Sequence, residues 1–324
     1  MPNMPNYKNI SIILPTCNRQ KELLECLESF KTQIFPKDNL EIIIVDDGSD
    51  IPVQNYVNIQ SYGINIQILR QEKNYGPARA RNLAINKAKN DIIIFVNDDI
   101  ILTQDFLMKH LNAHNLYSDI NVAVLGKIDW LPSLRKTALM HYISEIAGLQ
   151  FAYYKIQNYQ DAGFEHFYTA NISIKNQYLT ETAELFCEKF TKPSFEDIEL
   201  SYRLERRWFL RIIYLEDILV YHNHSITLPL FYKRQFDAGQ MSVVFYTEHE
   251  KMFREETLYV INNAIPIYKD IPQDDMILYN KMLEAKQESP PEKQATYFNN
   301  FFENVLKTAY LSGKAHYIQE NKIQ

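Results

Sequence analysis

Four groups of residues in this 324-residue chain have the types and spacing to do chemistry. Asn97-Asp98-Asp99 closes an apolar run, 92–96, and carboxylates in that position hold a hard divalent cation, which in turn bridges the phosphates of a nucleotide. The alternative is a polar strand exit whose aspartate caps the next helix, with Thr103 as a second cap candidate. Asp46-Asp47-Gly48-Ser49-Asp50 follows a second apolar run and reads either as a turn or as a place where an aspartate receives the imide N–H of a base. Glu196-Asp197 opens a helical pattern with Asp197 three residues after Ser194, which suits a capping box and equally suits a general base aimed at a hydroxyl. His222 and His224 stand two apart, on one side of a strand if the chain stays extended, where an imidazole completes a metal shell, contacts a phosphate or serves only as a structural hydrogen-bonding group.

The elements that must carry these groups are legible in the first 130 residues. Runs rich in Ile and Val at 10–14, 40–45, 64–69, 92–96 and 122–125 are bounded by polar and turn residues, as buried strands are. Between them Leu23, Leu24, Leu27 and Phe30 fall at helical spacing, as do Ala80, Leu83, Ala84 and Ala88. This alternation predicts an α/β fold with a mostly parallel sheet flanked by helices. Ligands of such sheets bind outside the carboxyl ends of the strands, where 15–19, 46–50, 74–76 and 97–99 all fall. Further on, 134–149 reads as a helix, 210–215 and 218–222 as two strands, and the part after Pro229 as helices broken near Pro266, Pro272 and Pro290-Pro291. The expected division is 1–228 for a catalytic domain and 229–324 for a mainly helical C-terminal extension.

Composition excludes several classes. With 34 Lys+Arg against 40 Asp+Glu the net charge is −6, which lacks the electrostatic footprint of a nucleic-acid binder. Three scattered cysteines make neither a disulfide framework nor a zinc site and fit a reducing cytoplasm. The start, 1–8, has no apolar signal core, and no run approaches the roughly 18 apolar residues of a spanning helix, so membrane contact is expected to be peripheral, at the inner face. Phe231, Tyr232, Phe236, Phe245 and Tyr246 beside Lys233 and Arg234 read as packing, as an oligomer interface or as a lipid contact, the last opposed by Asp237, Glu248 and Glu250.

Taken together and in order, Ser11-Ile12-Ile13-Leu14-Pro15-Thr16-Cys17-Asn18-Arg19, Ile44-Val45-Asp46-Asp47-Gly48-Ser49-Asp50, Asn74-Tyr75-Gly76-Pro77-Ala78-Arg79-Ala80-Arg81-Asn82 and Phe95-Val96-Asn97-Asp98-Asp99 resemble the motifs of the family 2 glycosyltransferases. Downstream, Thr169-Ala170-Asn171-Ile172-Ser173-Ile174 resembles the segment before that family's acceptor site, and 195–204 resembles its catalytic-base helix. The resemblance covers about 9–224 and implies a GT-A fold, a nucleotide-sugar donor with UDP as the carrier adopted first, Mn²⁺ or Mg²⁺, and inverting transfer to a hydroxyl of a glycan, lipid-linked or protein acceptor. On it, Pro15, Thr16, Asn18 and Arg19 would line the nucleotide pocket and Asp46 or Asp47 would contact the base. Asn74, Gly76, Arg81 and Asn82 would lie near the donor, and Asp99 would be the principal metal ligand with Asp98 beside it. Asp197 would be the base, Glu196 an acceptor contact, and His222 or His224 would approach the metal or the diphosphate.

Two departures from the family pattern stand out. Asn97 occupies the first position of an Asp-x-Asp pattern and removes one charge from the metal shell. Arg207-Trp208 has the look of a processive synthase motif, but Leu204 holds its Gln position, so Trp208 reads as packing and a single-addition transferase is expected. The competing readings are a nucleotidyltransferase, opposed by the lack of a glycine-rich triphosphate loop after the first strand, and a non-catalytic nucleotide-sugar-binding subunit supporting an active partner, favoured by Asn97.

Overall fold

The computed structural model describes residues 6–249, 255, 259–260, 263–285 and 291–323. The N-terminal part of 1–8, Glu250 and Pro290, which entered the sequence reading, lie outside them. The chain divides into two compact units: Met1–Leu134, Tyr153–Thr191 and Glu196–His224 form the first, and Arg135–Ala152, Lys192–Phe195 and Ser225–Gln324 the second. This differs from a cut at 228/229, because two short stretches from the middle of the chain join the C-terminal part.

The first unit is built on β1 (Ile10–Thr16), β2 (Leu40–Asp46), β3 (Asn65–Arg70), β4 (Ile92–Phe95), β5 (Ile100–Leu102), β6 (Val122–Trp130), β7 (Ile172–Lys175) and β8 (Arg211–His222), in the sheet order β3-β2-β1-β4-β7-β6-β8-β5. Strands β1 to β4 run parallel; β7 is antiparallel to β4 and β6, and β5 is antiparallel to β8. The continuous Ile/Val runs of β2 and β4 are buried along their whole length because the sheet is covered on both faces. Helix α1 (Gln20–Lys31) buries Leu23, Cys26, Leu27 and Phe30 and packs on β5. Helix α2 (Pro77–Ile85) packs on β1 and β2, and α3 (Phe106–Leu116) packs on β6 and β8. Each fully buried large apolar side chain, Phe95 and Phe106 among them, contributes about 1.5–3 kcal/mol.

Several expectations are corrected. The helix expected over 134–149 is only one turn, α4 (Ala138–His141), followed by a π-helical turn at Tyr142–Ile146. The two strands expected over 210–222 are one, β8. Its pairing to β6 shifts register between Gly126 and Lys127, so Gly126 faces Leu215 and Lys127 faces Leu219. Thr103 does not cap α3: its hydroxyl donates to the carbonyl of Leu219 at 2.9 Å, and α3 starts after Asp105 without a side-chain cap. Trp208 is not packed away but 42% exposed.

The remaining first-unit helices are α5 (Asn176–Thr182) and α6 (Glu196–Trp208). The second unit holds α4, α7 (Leu228–Glu248), α8 (Gln273–Ala285) and α9 (Pro291–Asn321). Phe231, Tyr232, Phe236 and Phe245 are buried there, while Lys233 and Arg234 are exposed, so the aromatics pack inside the unit. Among the described residues no helix is long and apolar enough to cross a membrane.

Candidate active site

The carboxyl ends of β1, β2 and β4 and the start of α6 bring most of the sequence-named polar residues to one edge. After β1 the chain turns through Asn18, which takes a left-handed backbone (φ 55°) that Asn tolerates better than most residues. Asn18 N–H donates to Ser49 Oγ at 2.9 Å, and its own Oδ1 accepts from Asp50 N–H at 2.8 Å, stitching the first loop to the second.

Asp46 and Asp47 build that second loop. Asp46 is fully buried and accepts from Ser49 N–H at 2.8 Å, Val53 N–H at 3.0 Å and the Arg70 guanidinium. Burial pushes its carboxyl up, but the hydrogen bonds from Ser49, Val53 and Arg70 outweigh it and hold the group below the usual range. Asp47 accepts from Gln71 Nε2 at 2.7 Å and from the backbone N–H groups of Tyr75 and Gly76, both at 2.9 Å, so it ties the loop after β3 to β2. Gly76 has φ 95°, and a Cβ there would lie 2.6 Å from the Thr191 carbonyl oxygen; Pro77 then opens α2 with its fixed φ. Asn74 donates to Cys17 Sγ at 3.3 Å and accepts from Gly76 N–H at 3.0 Å.

Asp98 and Asp99 lie in the turn from β4 to β5. Because β5 pairs antiparallel with β8, Ile100 sits beside His222, and the end of β8 comes up against the acidic pair. Asp98 accepts from Thr16 Oγ1 at 2.7 Å and lies 3.3 Å from Arg19 Nε. Asp99 Oδ2 accepts from Arg19 Nη2 at 2.8 Å and from His222 Nε2 at 3.2 Å. Burial raises both carboxyls, yet His222 and Arg19 hold Asp99 well below the usual range, while Asp98 stays above it because the charge on Asp99 adds to its burial. The Trp130 ring meets the His222 ring edge to face at 5.3 Å, and His224 stands edge-on to His222 at 6.0 Å.

Among the described residues no three His, Cys, Asp or Glu side chains converge as a ready metal shell. One observation fits a cation at this turn: Asp99 Oδ1 is buried and has no hydrogen-bond partner among the described residues, which leaves an oxygen lone pair suited to a hard cation.

The second cluster joins α2, the β4 end and α6. Arg81 is 4% exposed; its Nη1 donates to Glu196 Oε1 at 2.8 Å, and its Nη2 lies 3.4 Å from Asn97 Oδ1. Asn97 therefore faces Arg81. Asp197 follows Glu196 in the first turn of α6, where the helix N-terminus favours negative charge, while Arg206 and Arg207 close the last turn. Its carboxyl is raised well above the ordinary range by burial and by the neighbouring Glu196, against the opposing pull of Arg81. Asn82 points elsewhere: it donates to the Phe186 carbonyl at 2.9 Å and accepts from Phe186 N–H at 2.9 Å, holding the 183–191 loop. That loop is also clamped from α6 by Arg203, which bonds Glu199 at 2.7 and 2.9 Å, the Leu185 carbonyl at 2.6 Å and the Glu184 carboxylate.

The sequence reading missed Arg70, Gln71 and Trp130. Arg70 and Gln71 had a signal: parallel β2 and β3 end in register, Asp46 facing Arg70, so polar residues ending one strand meet those ending its neighbour. Trp130 had none, because its contact depends on the register of β6 with β8.

A sequence profile described as glycosyl transferase family 2 matches residues 11–179, more than half of the chain. The chain belongs to this family. It carries a family 2 glycosyltransferase domain of the GT-A fold. Over 98 residues it is 33% identical to the poly(ribitol-phosphate) beta-N-acetylglucosaminyltransferase TarS of Staphylococcus aureus, covering 30% of this chain and 17% of that one. Over 123 residues it is 34% identical to the poly(ribitol-phosphate) beta-glucosyltransferase of Bacillus spizizenii, covering 37% and 19%. The matched stretch is thus under a fifth of these relatives' length. A crystal structure of a TarS fragment with UDP superimposes with a TM-score of 0.52 over 96% of this chain and 92% of that one, at 16% identity. The mannosyltransferase PcManGT of Pyrobaculum calidifontis, solved with GDP-Man and Mn²⁺, gives 0.59 over 98% and 89%, also at 16% identity.

Proposed function

We propose that this chain is an inverting glycosyltransferase that moves a sugar from a nucleoside diphosphate sugar, with UDP as the carrier to test first, to a hydroxyl of a surface glycan, glycolipid or glycoprotein. The observation that carries the reading is the convergence of Asp98, Asp99 and His222 on one side of Asn97 with Arg81, Glu196 and the adjoining Asp197 on the other. Two different acidic centres, one at a strand exit and one at a helix start, supply what a displacement at an anomeric carbon requires. The relatives named above supply the precedent for nucleotide-sugar donors and glycan acceptors. Residues 1–228 would supply the catalytic machinery, with 229–324 as its helical extension.

In this mechanism Asp197 takes the proton of the acceptor hydroxyl as that oxygen attacks the anomeric carbon from the face opposite the diphosphate. A carboxyl whose proton affinity is raised by burial and by Glu196 is better matched to that task near neutral pH than an ordinary aspartate. Arg81 fixes Glu196 and thereby the first turn of α6. Thr16, Asn18 and Arg19 line the nucleotide side. Asp46, held by Ser49, Val53 and Arg70, and Asp47, held by Gln71, Tyr75 and Gly76, shape the loop walls against which the nucleobase would lie. Asp99, through Oδ1, with His222 and His224 beside it, would hold Mn²⁺ or Mg²⁺, which when bound offsets negative charge on the departing diphosphate.

The test is a thermal-shift panel with UDP, GDP, dTDP and CMP, each with Mn²⁺ or with EDTA. A ligand at 100 times its Kd adds about 2.7 kcal/mol of stability. A shift with one diphosphate that needs the metal is the expected result; no shift with any of them overturns the reading of the strand-exit cluster.

A further inference from the structure

A chain of buried polar side chains runs behind the site and takes no part in the mechanism above. Lys175, at the end of β7, is 0% exposed, and its Nζ donates to His114 Nδ1 at 3.1 Å and to the carbonyls of Tyr117 and Val122 at 3.0 and 3.3 Å. His114 Nε2 lies 2.8 Å from Ser173 Oγ, which lies 2.8 Å from His110 Nδ1. His110 Nε2 is 3.0 Å from Asn171 Oδ1, and Asn171 Nδ2 donates to the carbonyls of Lys127 and Ile218, both at 2.9 Å.

Only one arrangement of protons satisfies all of these contacts. An ammonium has donors alone, so His114 Nδ1 must accept and its Nε2 must carry the proton. Ser173 accepts that proton and donates its own to His110 Nδ1, which leaves His110 to donate from Nε2 to the Asn171 carbonyl. The Asn171 amide then meets two carbonyls that can only accept. Burial supports the assignment: it pushes His110 down to about 4, His114 well below its usual value and Lys175 down to about 8, so near pH 7 both rings are neutral and the lysine is charged.

The end point of the chain is the register shift between β6 and β8. Lys127 and Ile218 flank it, and the Asn171 amide takes both of their carbonyls, while the hydroxyls of Tyr153 and Thr103 take those of Gly126 and Leu219. Gly126 makes room for it: a Cβ there would lie 2.4 Å from Asn171 Nδ2. Past the shift, Trp130 pairs with His222, and a slip of one residue would turn His222 to the other face of the sheet. We propose that Asn171, oriented by the one-way chain from Lys175, is the positioning residue that locks the β6–β8 register and so sets His222 against Asp99. Its value for catalysis rests on the reading of Asp99 and His222 as site residues; the register claim does not.

The first experiment needs no variant: long-range ¹H–¹⁵N correlation spectra of the histidine-labelled protein should show His110 and His114 neutral and protonated at Nε2 at pH 7.5. A proton on Nδ1 of either ring overturns the chain. Asn171→Ala, and separately Gly126→Ala, should each speed hydrogen exchange at 127–130 and 219–222 by at least about tenfold while leaving 10–16 and 40–46 unchanged. The double variant should add little to either single one. Uniform acceleration throughout the first unit would mean general destabilisation and would overturn the register claim; Ser173→Ala, a smaller lesion, should give the same local pattern more weakly if the larger changes fail to fold. Activity is expected to drop about 10–100-fold in Asn171→Ala, as for other residues that orient a site from behind. Local exchange without loss of activity would overturn the link to catalysis alone.

Discussion

Asp197→Asn separates function from stability in opposite directions. Asp197 is half-buried at the α6 N-terminus beside Glu196, and its carboxyl is pushed from 3.8 up to about 7 by burial first and by the Glu196 charge second. A group that binds its proton more tightly folded than unfolded loses stability as pH rises above the unfolded value, and the loss is complete above the folded one. At about 1.4 kcal/mol per unit the ceiling is about 4 kcal/mol, and the part of the carboxyl that water reaches lowers it to about 1–3 kcal/mol. Asn is isosteric and uncharged, so the variant should unfold at higher urea than the wild type at pH 8, with the gap narrowing toward pH 5. Nucleoside diphosphate release from the donor found in the ligand panel should fall about 10²–10⁴-fold in the variant. In the wild type, kcat/KM should decline about tenfold per pH unit below about 7, as the base becomes protonated. A variant that keeps more than a tenth of the rate, or that is inactive yet less stable than wild type at pH 8, would refute the assignment of a strained, working base.

Asp99→Asn removes the charge whose free Oδ1 fits a cation, and should abolish the metal-dependent part of the nucleotide thermal shift, about 2.7 kcal/mol at saturating ligand, while the fold persists in circular dichroism. Arg81→Met removes the buried guanidinium that pairs with Glu196 and should lower unfolding free energy by about 3–5 kcal/mol in urea titrations; a change under about 1 kcal/mol would show that the pair is not holding α6. Gly76→Ala must fit a side chain into a φ of 95° within 2.6 Å of the Thr191 carbonyl oxygen, and a loss of at least about 2 kcal/mol is expected in the same titration.

The sheet was legible in the sequence because buried parallel strands leave an unmistakable mark: unbroken Ile/Val runs between polar exits, as at 40–45 and 92–96. The candidate residues at the ends of β1, β2 and β4 could be named for a related reason, since strand exits are where a chain can place carboxylates and hydroxyls without breaking the core. Gly76-Pro77 shows how local chemistry places a helix start, since one residue takes a positive φ and the next has no N–H to lose. What local sequence could not reveal is which polar residues face a ligand and which face each other. Asp46 and Asp47 are neighbours of one type, yet Asp46 takes Ser49, Val53 and Arg70 while Asp47 takes Gln71, Tyr75 and Gly76, and Asn82 turns away to hold Phe186. Lys175, His110 and His114 are spread over 66 residues and form a single proton-ordered chain only because the fold brings the side chains of α3 to those of β7. Thus the parallel strands of the first half and the edge where their polar exits gather follow from the sequence alone, because hydrophobic period and turn chemistry are local, whereas the irregular stretch at 134–149 and the single strand β8 did not. The pairing of each polar atom was decided by tertiary structure, because a buried donor or acceptor takes whatever partner packing brings within about 3 Å.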